Sequence, residues 1–533
     1  MKKIIGVVSM LVLFTTFLRA QSFDSSYLPI VVIETNNQSI PDEPKITAHM
    51  KIIENDMGLV NRLSSNTTSY DGPIGIEKRG QTSQLFFPKL GYGIETRNEL
   101  GEDSTVVVMG MPEESDWVIN SPYSDKSLIR NALAYTLAGQ IMAYAPRVQM
   151  AELVLNGDYK GVILWTEKIK RDNNRVDISK LTPDENDEVN ITGGYILRFD
   201  KNDPGEVAWE SPYRPSISGN QRTRFIYHYP KKDDISPQQL SYIRDYITQF
   251  ENALMGNDYT DPINGYEPFI DVSSFVQTII INELSRNVDG YRLSTYMYKD
   301  KGGKLAMGPT WDHNLSFGNA DYCNGFSTAG FALDFNEVCP QDFWINHVWW
   351  KRLMSHEKFK KSVKDLWQEL RRDIYSDESL LNLIDDLSGQ LGSATSRNFQ
   401  RWPVIGQYVW PNQFVGSSYL AEINYLKGWI VDRAAWLDTA FGALTTSTDD
   451  LDSSSGVLIY PNPSDGLIQL EKIDGDGFIE VFNIAGEKIH HQALNSGTNE
   501  IDLRSISNGF VFYRITTEQG KIATGKLMLL SAQ

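Results

Sequence analysis

Apolar positions along the chain follow two periods, and the period changes from segment to segment. "LPIVVIET" (28–35) is a β-branched run bounded by asparagine, which predicts a strand. "DGPIGIEKRGQTSQLFFPKLGYGIET" (71–96) reads as further strands broken by glycine turns. "AELVLNGDYKGVILWTEKI" (151–169) places two apolar runs around Asn156-Gly157-Asp158, the signature of a hairpin, and "GGYILRFD" (193–200) adds another strand. Between them, "DKSLIRNALAYTLAGQIMAY" (125–144) repeats apolar residues at Leu128, Leu133, Leu137 and Ile141, a helix opened by Asp125. The first third is therefore β-rich with one helix.

From about residue 236 the period is helical. Residues 236–254, 272–287, 342–375 and 418–441 carry apolar side chains three and four apart. In the last segment Leu420, Ile423, Leu426, Ile430, Leu437 and Phe441 form one stripe. A β-rich lobe followed by a helical lobe leaves a cleft, a common place for a ligand.

"TTSTDDLDSSSG" (445–456) is small, polar and acidic, as a flexible linker is. Beyond it, short alternating strands between Gly, Asn and Asp turns suggest a small β-sandwich over 457–533. At the other end, Lys2-Lys3, an apolar run and a small residue at Ala20 predict a secretory signal peptide over 1–20. No later segment approaches 18 consecutive apolar residues, so no membrane span is expected in the mature chain. Export suits Cys323 and Cys339, the chain's two cysteines, which close a short loop and are expected to be joined. The 533 residues, 41% apolar and 22% charged, suffice for a large core, and a formal charge of −18 argues against nucleic acid.

The tail resembles the C-terminal sorting domain of the type IX secretion system. "YPNPSDG" (460–466), "IDLRSISNGFVFYRI" (501–515) and the terminal "GKLMLL" carry the likeness, in order. The resemblance implies the type IX machinery as partner and a secreted or cell-surface location reached through the periplasm. It also implies that the domain is removed or replaced by an anchor.

The chemistry concentrates in "MGPTWDHNLSFGN" (307–319) and what precedes it. A helix ends near Asn287, Asp289-Gly290 follows, then "STYMY", the turn "KDKGGK" and a second strand, "KLAMGPT". A hairpin brings its open ends within about 5 Å, so Asp289 before the first strand and Asp312 after the second are expected to meet. Protein kinases use such a pair. One Asp orients the acceptor hydroxyl, and another holds Mg2+ on the nucleotide phosphates through hard oxygens.

Residues 29–441 resemble the CotH (spore coat protein H) kinase family of secreted atypical kinases. The matching blocks are "GIEKRGQTSQLFFPK", "YSDKSLIRNALAY", "LVLNGDYKGVILWTEKIKRDNNRVDI", "NELSRNVDGYR" and "MGPTWDHNLSFGN", in family order. The resemblance implies an α+β, protein-kinase-like two-lobe domain over 21–444, transferring phosphate from ATP to protein hydroxyls with Mg2+. Asp289 takes the catalytic role and Asp312 the metal role. The chain departs from the family where Asn314 stands for a second Asp and Leu90-Gly91 for Lys-Ser. Ser294 stands five residues after Asp289, where kinases place an Asn for the second metal. Without a G-x-G-x-x-G loop, Lys89 and Arg79 are the cations available to phosphate. Glu167 is open to three readings: a partner of such a lysine, a neighbour of the adenine, or a plain surface strand residue. Two other readings stand beside the kinase. One is a catalytically silent CotH-like surface protein with a binding or structural role. The other is a glycan-binding or adhesion protein using the aromatic loop "RWPVIGQYVWPNQ" (401–413). The protein substrate is not legible in the sequence.

Overall fold

The computed structural model describes residues 23–55, 58–201, 205–215, 222–444 and 458–530, the last without 463, 474, 484–485, 507–508 and 518–521. The expected signal peptide and the linker lie outside the described residues. The chain forms two compact units, Met1–Gly442 and Ala443–Gln533.

The first unit begins with a closed seven-stranded barrel. Its strands are β1 (Ile30–Glu34), β2 (Ile46–Ile53), β3 (Thr68–Arg79), β4 (Gly91–Thr96), β5 (Asp116–Asn120), β6 (Val148–Leu155) and β7 (Asp158–Glu167). Around the barrel they run β6-β7-β5-β4-β3-β2-β1, and β1 closes onto β6 as a parallel pair. Alternate residues point inward: Ile74 and Ile76, Trp117 and Ile119, Ile163 and Trp165 all belong to one buried cluster. Each buried aliphatic side chain there contributes about 1.5–3 kcal/mol. The β6–β7 turn follows the sequence signal, with Asn156 (φ 50°) and Gly157 (φ 74°) both left-handed. A six-residue helix, α1 (Gln81–Phe86), interrupts the sheet path without burying a residue.

A second, five-stranded sheet contains β8 (Tyr195–Phe199), β9 (Ala208–Glu210), β10 (Arg224–Tyr229), β11 (Thr295–Lys299) and β12 (Leu305–Met307), in the order β9-β10-β8-β11-β12. The longer helices are α2 (Arg130–Gly139), α3 (Pro237–Met255), α4 (Val272–Ser285), α5 (Val348–Leu353), α6 (Glu357–Arg371), α7 (Asp377–Leu391), α8 (Ala394–Arg401) and α9 (Tyr419–Gly442), with a single helical turn at Phe335–Val338. Ser236 opens α3 with a capping box to Gln239. Almost every residue of α4 from Ser274 to Ser285 is buried, with the polar Thr278, Asn282 and Glu283 enclosed beside Phe275, Val276 and Ile279–Ile281.

The expected hairpin, β11 and β12, lies within the helical part and joins the strands that precede α3 in one five-stranded sheet. Three expectations are corrected. The helix expected over 125–144 covers only Arg130–Gly139. The Asp125 carboxylate takes the amides of Ser127 and Arg130, and Leu128 turns left-handed (φ 64°). The 342–375 segment splits into α5 and α6 at an extended His356, and Leu420 on the α9 stripe is 66% exposed while the rest of the stripe is buried.

The second unit stacks a three-stranded sheet, β13 (Leu458–Tyr460), β14 (Leu467–Ile473) and β17 (Gly497–Asp502), on a four-stranded one. The latter comprises β15 (Gly477–Phe482), β16 (Lys488–Leu494), β18 (Gly509–Thr517) and β19 (Ile522–Leu529). Ile468, Leu470 and Ile501 from one sheet meet Ile479, Val481 and Ile515 from the other in a common core, as in a sandwich.

Candidate functional site

Three chain ends of the second sheet share one edge. Phe199, the last residue of β8, pairs with Thr295, the first of β11, and Met297 pairs with Met307 at the end of β12. Asp200 therefore leaves β8 beside Ser294, while the chain after β12 delivers Asp312 to the same edge. Backbone there is unusual: Tyr291 (φ 70°), Ser294 (φ 46°) and Asp312 (φ 61°) are all left-handed without being glycine. Such conformations persist only where the surroundings over-determine them.

For Asp312 the surroundings are visible. Its N–H donates to the Tyr135 hydroxyl of α2 (3.2 Å), and its carbonyl accepts from Asn287 Nδ2 (3.5 Å). The next N–H, of His313, donates to Asn131 Oδ1 one turn earlier on α2 (2.6 Å). Trp311 stacks on Tyr135 at 5.7 Å, and the Arg79 guanidinium lies over the Trp311 ring at 5.8 Å. His313 is enclosed between Thr310 and Ser316, and burial lowers its pKa to about 3. It is a neutral strut.

Charge is crowded at this edge. Burial raises the Asp312 pKa to about 7, with the negative charges of Asp289 and Asp200 adding to the rise and Lys201 and Arg79 opposing it. The Asp200 carboxyl is also raised, first by burial, against the pull of Arg198 (3.4 Å) and hydrogen bonds from the Lys201 and Ser294 amides. Asp289 accepts from Arg292 Nη2 at 2.8 Å, and its own N–H donates to Asn287 Oδ1. Lys201 donates to Thr82 Oγ1 (3.0 Å), tying the edge to α1. The Tyr322 hydroxyl is pushed up by burial and by Asp289.

The predicted residues separate into two groups. Asp289, Asp312, Ser294 and Arg79 come together at this edge. Asn314, two residues on from Asp312, is half-buried, and its carbonyl accepts from Asn319. Lys89 is elsewhere. It is buried, its ammonium donates to the carbonyls of Pro122 (3.1 Å) and Val162 (2.6 Å) and to Asn398 Oδ1 (2.9 Å), and burial lowers it to about 7. Glu167 does not pair with it. Its carboxylate accepts from Tyr144, from the Arg147 N–H and from the Arg147 guanidinium, with Arg175 at 3.9 Å. Sequence reasoning missed Asp200, Lys201, Arg292 and Tyr322. A charged pair closing the apolar run "YILRF" was the available signal for the first two.

Among the described residues no group of three His, Cys, Asp or Glu side chains could hold a metal by itself. Mg2+ is compatible with fewer, since it is usually held by one or two carboxylates together with substrate phosphates. The mutual repulsion at Asp312 is what a divalent cation would relieve.

Comparison with known families matches residues 76–437 to CotH kinase protein and residues 458–529 to the secretion system C-terminal sorting domain. The second match marks the protein as secreted or cell-surface, and among the described residues no helix is long and apolar enough to cross a membrane. Comparison with curated proteins found no match. Among solved structures, a DUF3244 family protein from Bacteroides vulgatus with an immunoglobulin-like β-sandwich fold is 16% identical. The match covers 15% of this chain and 89% of that one, with a TM-score of 0.14.

Proposed function

We propose, from the premise that this chain belongs to the CotH kinase protein family, that it is an exported protein kinase transferring the γ-phosphate of ATP to a protein hydroxyl. The observation that carries the reading is the shared edge: Asn287 accepts from the Asp289 N–H and donates to the Asp312 carbonyl, and burial, then the charges of Asp289 and Asp200, raise the Asp312 carboxyl. Asp289 orients the acceptor hydroxyl and takes its proton as the oxygen–phosphorus bond forms and ADP departs. With Oδ1 occupied by Arg292, Oδ2 is the oxygen left for that hydroxyl. Asp312 would hold Mg2+, with Ser294 at the same edge and Asn314 two residues on as neutral oxygens. Bound Mg2+ supplies charge neutralisation on the phosphates.

Arg79 and Lys201 are the cations placed to meet phosphate oxygens, a role Lys89 gives up to its three protein acceptors. The kinase-like two-lobe arrangement belongs to this reading, with the barrel and Arg79 as one wall and the helices around Asp289 as the other. A catalytically silent binding protein draws support from Asn314 and Ser294, which carry no charge to hold a metal. Thermal shift with ATP, with and without Mg2+, separates the two. A Mg2+-dependent rise in melting temperature supports the kinase, and none supports the binding protein.

A further inference from the structure

The turn that carries Asp289 is anchored to the loop that the disulfide closes. Cys323 and Cys339 are joined across 16 residues, with their Cα atoms 5.6 Å apart, and both are half-exposed. The loop between them does not pack on itself alone. Ala332 and Leu333 donate their backbone N–H groups to the Glu283 carboxylate at the end of α4, at 2.8 and 2.9 Å. Glu283 is fully buried and also accepts from Arg433 (3.0 Å) and from the Tyr291 hydroxyl (3.0 Å). Arg286, the left-handed residue ending α4, donates to the Asn324 carbonyl (2.8 Å) and to the Gly330 carbonyl. Arg433 donates to the carbonyls of Thr328 and Gly330 from the far side.

Asp289 stands between these anchors. Three residues before it is Arg286 and two after it is Tyr291, which reaches back to Glu283. Arg292, which holds Asp289 Oδ1, lies over the Phe335 ring at 4.0 Å, and its guanidinium also donates to the Trp344 carbonyl. Packing is tight as well. A Cβ added to Gly325 would lie 2.5 Å from the Val288 side chain. Arg292 also bonds to Val288 and Asp289, and Tyr291 meets the Trp350 ring. Beside these, partners of Arg286, Tyr291 and Arg292 lie in the disulfide loop, in the segment just beyond it, or at a carboxylate that the loop's own amides hold.

We propose that the Cys323–Cys339 disulfide is a positioning device for Asp289, keeping the 324–338 loop against the end of α4 and thereby fixing the turn at 286–293. The proposal rests on the kinase reading for its catalytic consequence, but not for its structural one. A dithiol reductant opens the bridge in two exchanges: one thiolate attacks a cysteine sulfur, and the mixed disulfide is then resolved. Two cysteine thiols and the cyclised, oxidised reagent result. The freed loop gains conformational entropy and no longer holds its carbonyls and amides against Arg286 and Glu283. For a protein destined for export, the catalytic geometry is then completed only where disulfides persist.

The test uses the full chain, oxidised and after reduction and alkylation, beside the Cys323→Ser/Cys339→Ser double variant. Hydrogen exchange is read at 286–293 and at barrel strands 46–53 and 148–155. Amide exchange at 286–293 should quicken about tenfold or more while the barrel strands stay protected, the pattern of local opening. Phosphotransfer should fall about 10²-fold, as expected for a misplaced catalytic group, with Mg2+-ATP affinity unchanged. Unchanged exchange at 286–293 overturns the proposal, and so does loss of protection that spreads into the barrel. An oxidised protein that transfers no phosphate defeats the kinase reading instead, while the exchange data still decide the positioning role.

Discussion

Lys89 and Glu167 in the barrel, and Asp200, Asp289 and Asp312 at the edge of the second sheet, treat buried charge in opposite ways. Lys89 spends its donors on two carbonyls and an amide, and Glu167 sits among Tyr144, Arg147 and Arg175. At the sheet edge like charges face one another, and the carboxyls of Asp312 and Asp200 are raised. A polar group whose partners are all supplied by the fold has a structural task. A cluster left under-compensated is where a ligand of opposite charge has something to gain.

The contrast is sharpest for the two kinds of loss. Asp289→Ala should reduce phosphotransfer by about 10²–10⁴-fold with Mg2+-ATP binding retained, checked by steady-state kinetics beside calorimetry. Glu167→Ala should instead destabilise the fold by about 3–5 kcal/mol, because it leaves buried Arg175 without its countercharge and the Tyr144 hydroxyl and Arg147 N–H without their acceptor. Denaturant unfolding measures this, and an unchanged midpoint would break the comparison. Lys89→Met should cost less, about 1–3 kcal/mol, for the carbonyls and amide it leaves unpaired. A variant that keeps its stability yet loses nucleotide binding would return Lys89 to the phosphate site.

The pH dependence follows from Asp312. Its folded pKa, about 7, lies above the ordinary carboxylate value, so the metal-free folded state holds a proton that the unfolded state has released. Its contribution to stability is therefore greatest below the ordinary carboxylate range and declines as pH rises towards 7. Asp312→Asn should raise the melting temperature of the metal-free protein above pH 7 and leave it little changed near pH 4. Mg2+-ATP binding should move the other way, weakening as pH falls through 7, because the ligand must be ionised. Asp200→Asn removes one repelling charge and should shift that titration downward. This is the smallest expected effect, measurable as a lower apparent pKa for nucleotide binding.

The hairpin was readable because β11 and β12 carry apolar runs around a Gly-Gly turn, and any such hairpin must bring its ends together. That is why Asp289 and Asp312 could be paired without coordinates. Asp200 could not, since its place depends on β8 pairing with β11 across nearly a hundred residues, and no local pattern encodes that register. Lys89 misled for a related reason. A lysine beside a proline in a loop looks exposed, and only the long-range approach of Pro122, Val162 and Asn398 on α8 encloses it. The disulfide was legible from spacing, but its connection to Asp289 was not, because Glu283, Arg286 and Arg433 act through the folded backbone of the 323–339 loop.

On the proposed reading, Asp312 binds the cation that brings ATP to this edge. Calorimetric titration of the oxidised full chain with ATP at pH 7, with and without Mg2+ and in two buffers of different ionisation heat, tests it most directly. Wild type should bind only with Mg2+ and release about half a proton, as expected for a ligand whose free pKa is about 7. Asp312→Asn should show neither the Mg2+-dependent affinity nor the proton. Equal binding by wild type and Asp312→Asn, or no Mg2+-dependent binding by wild type, would contradict the account.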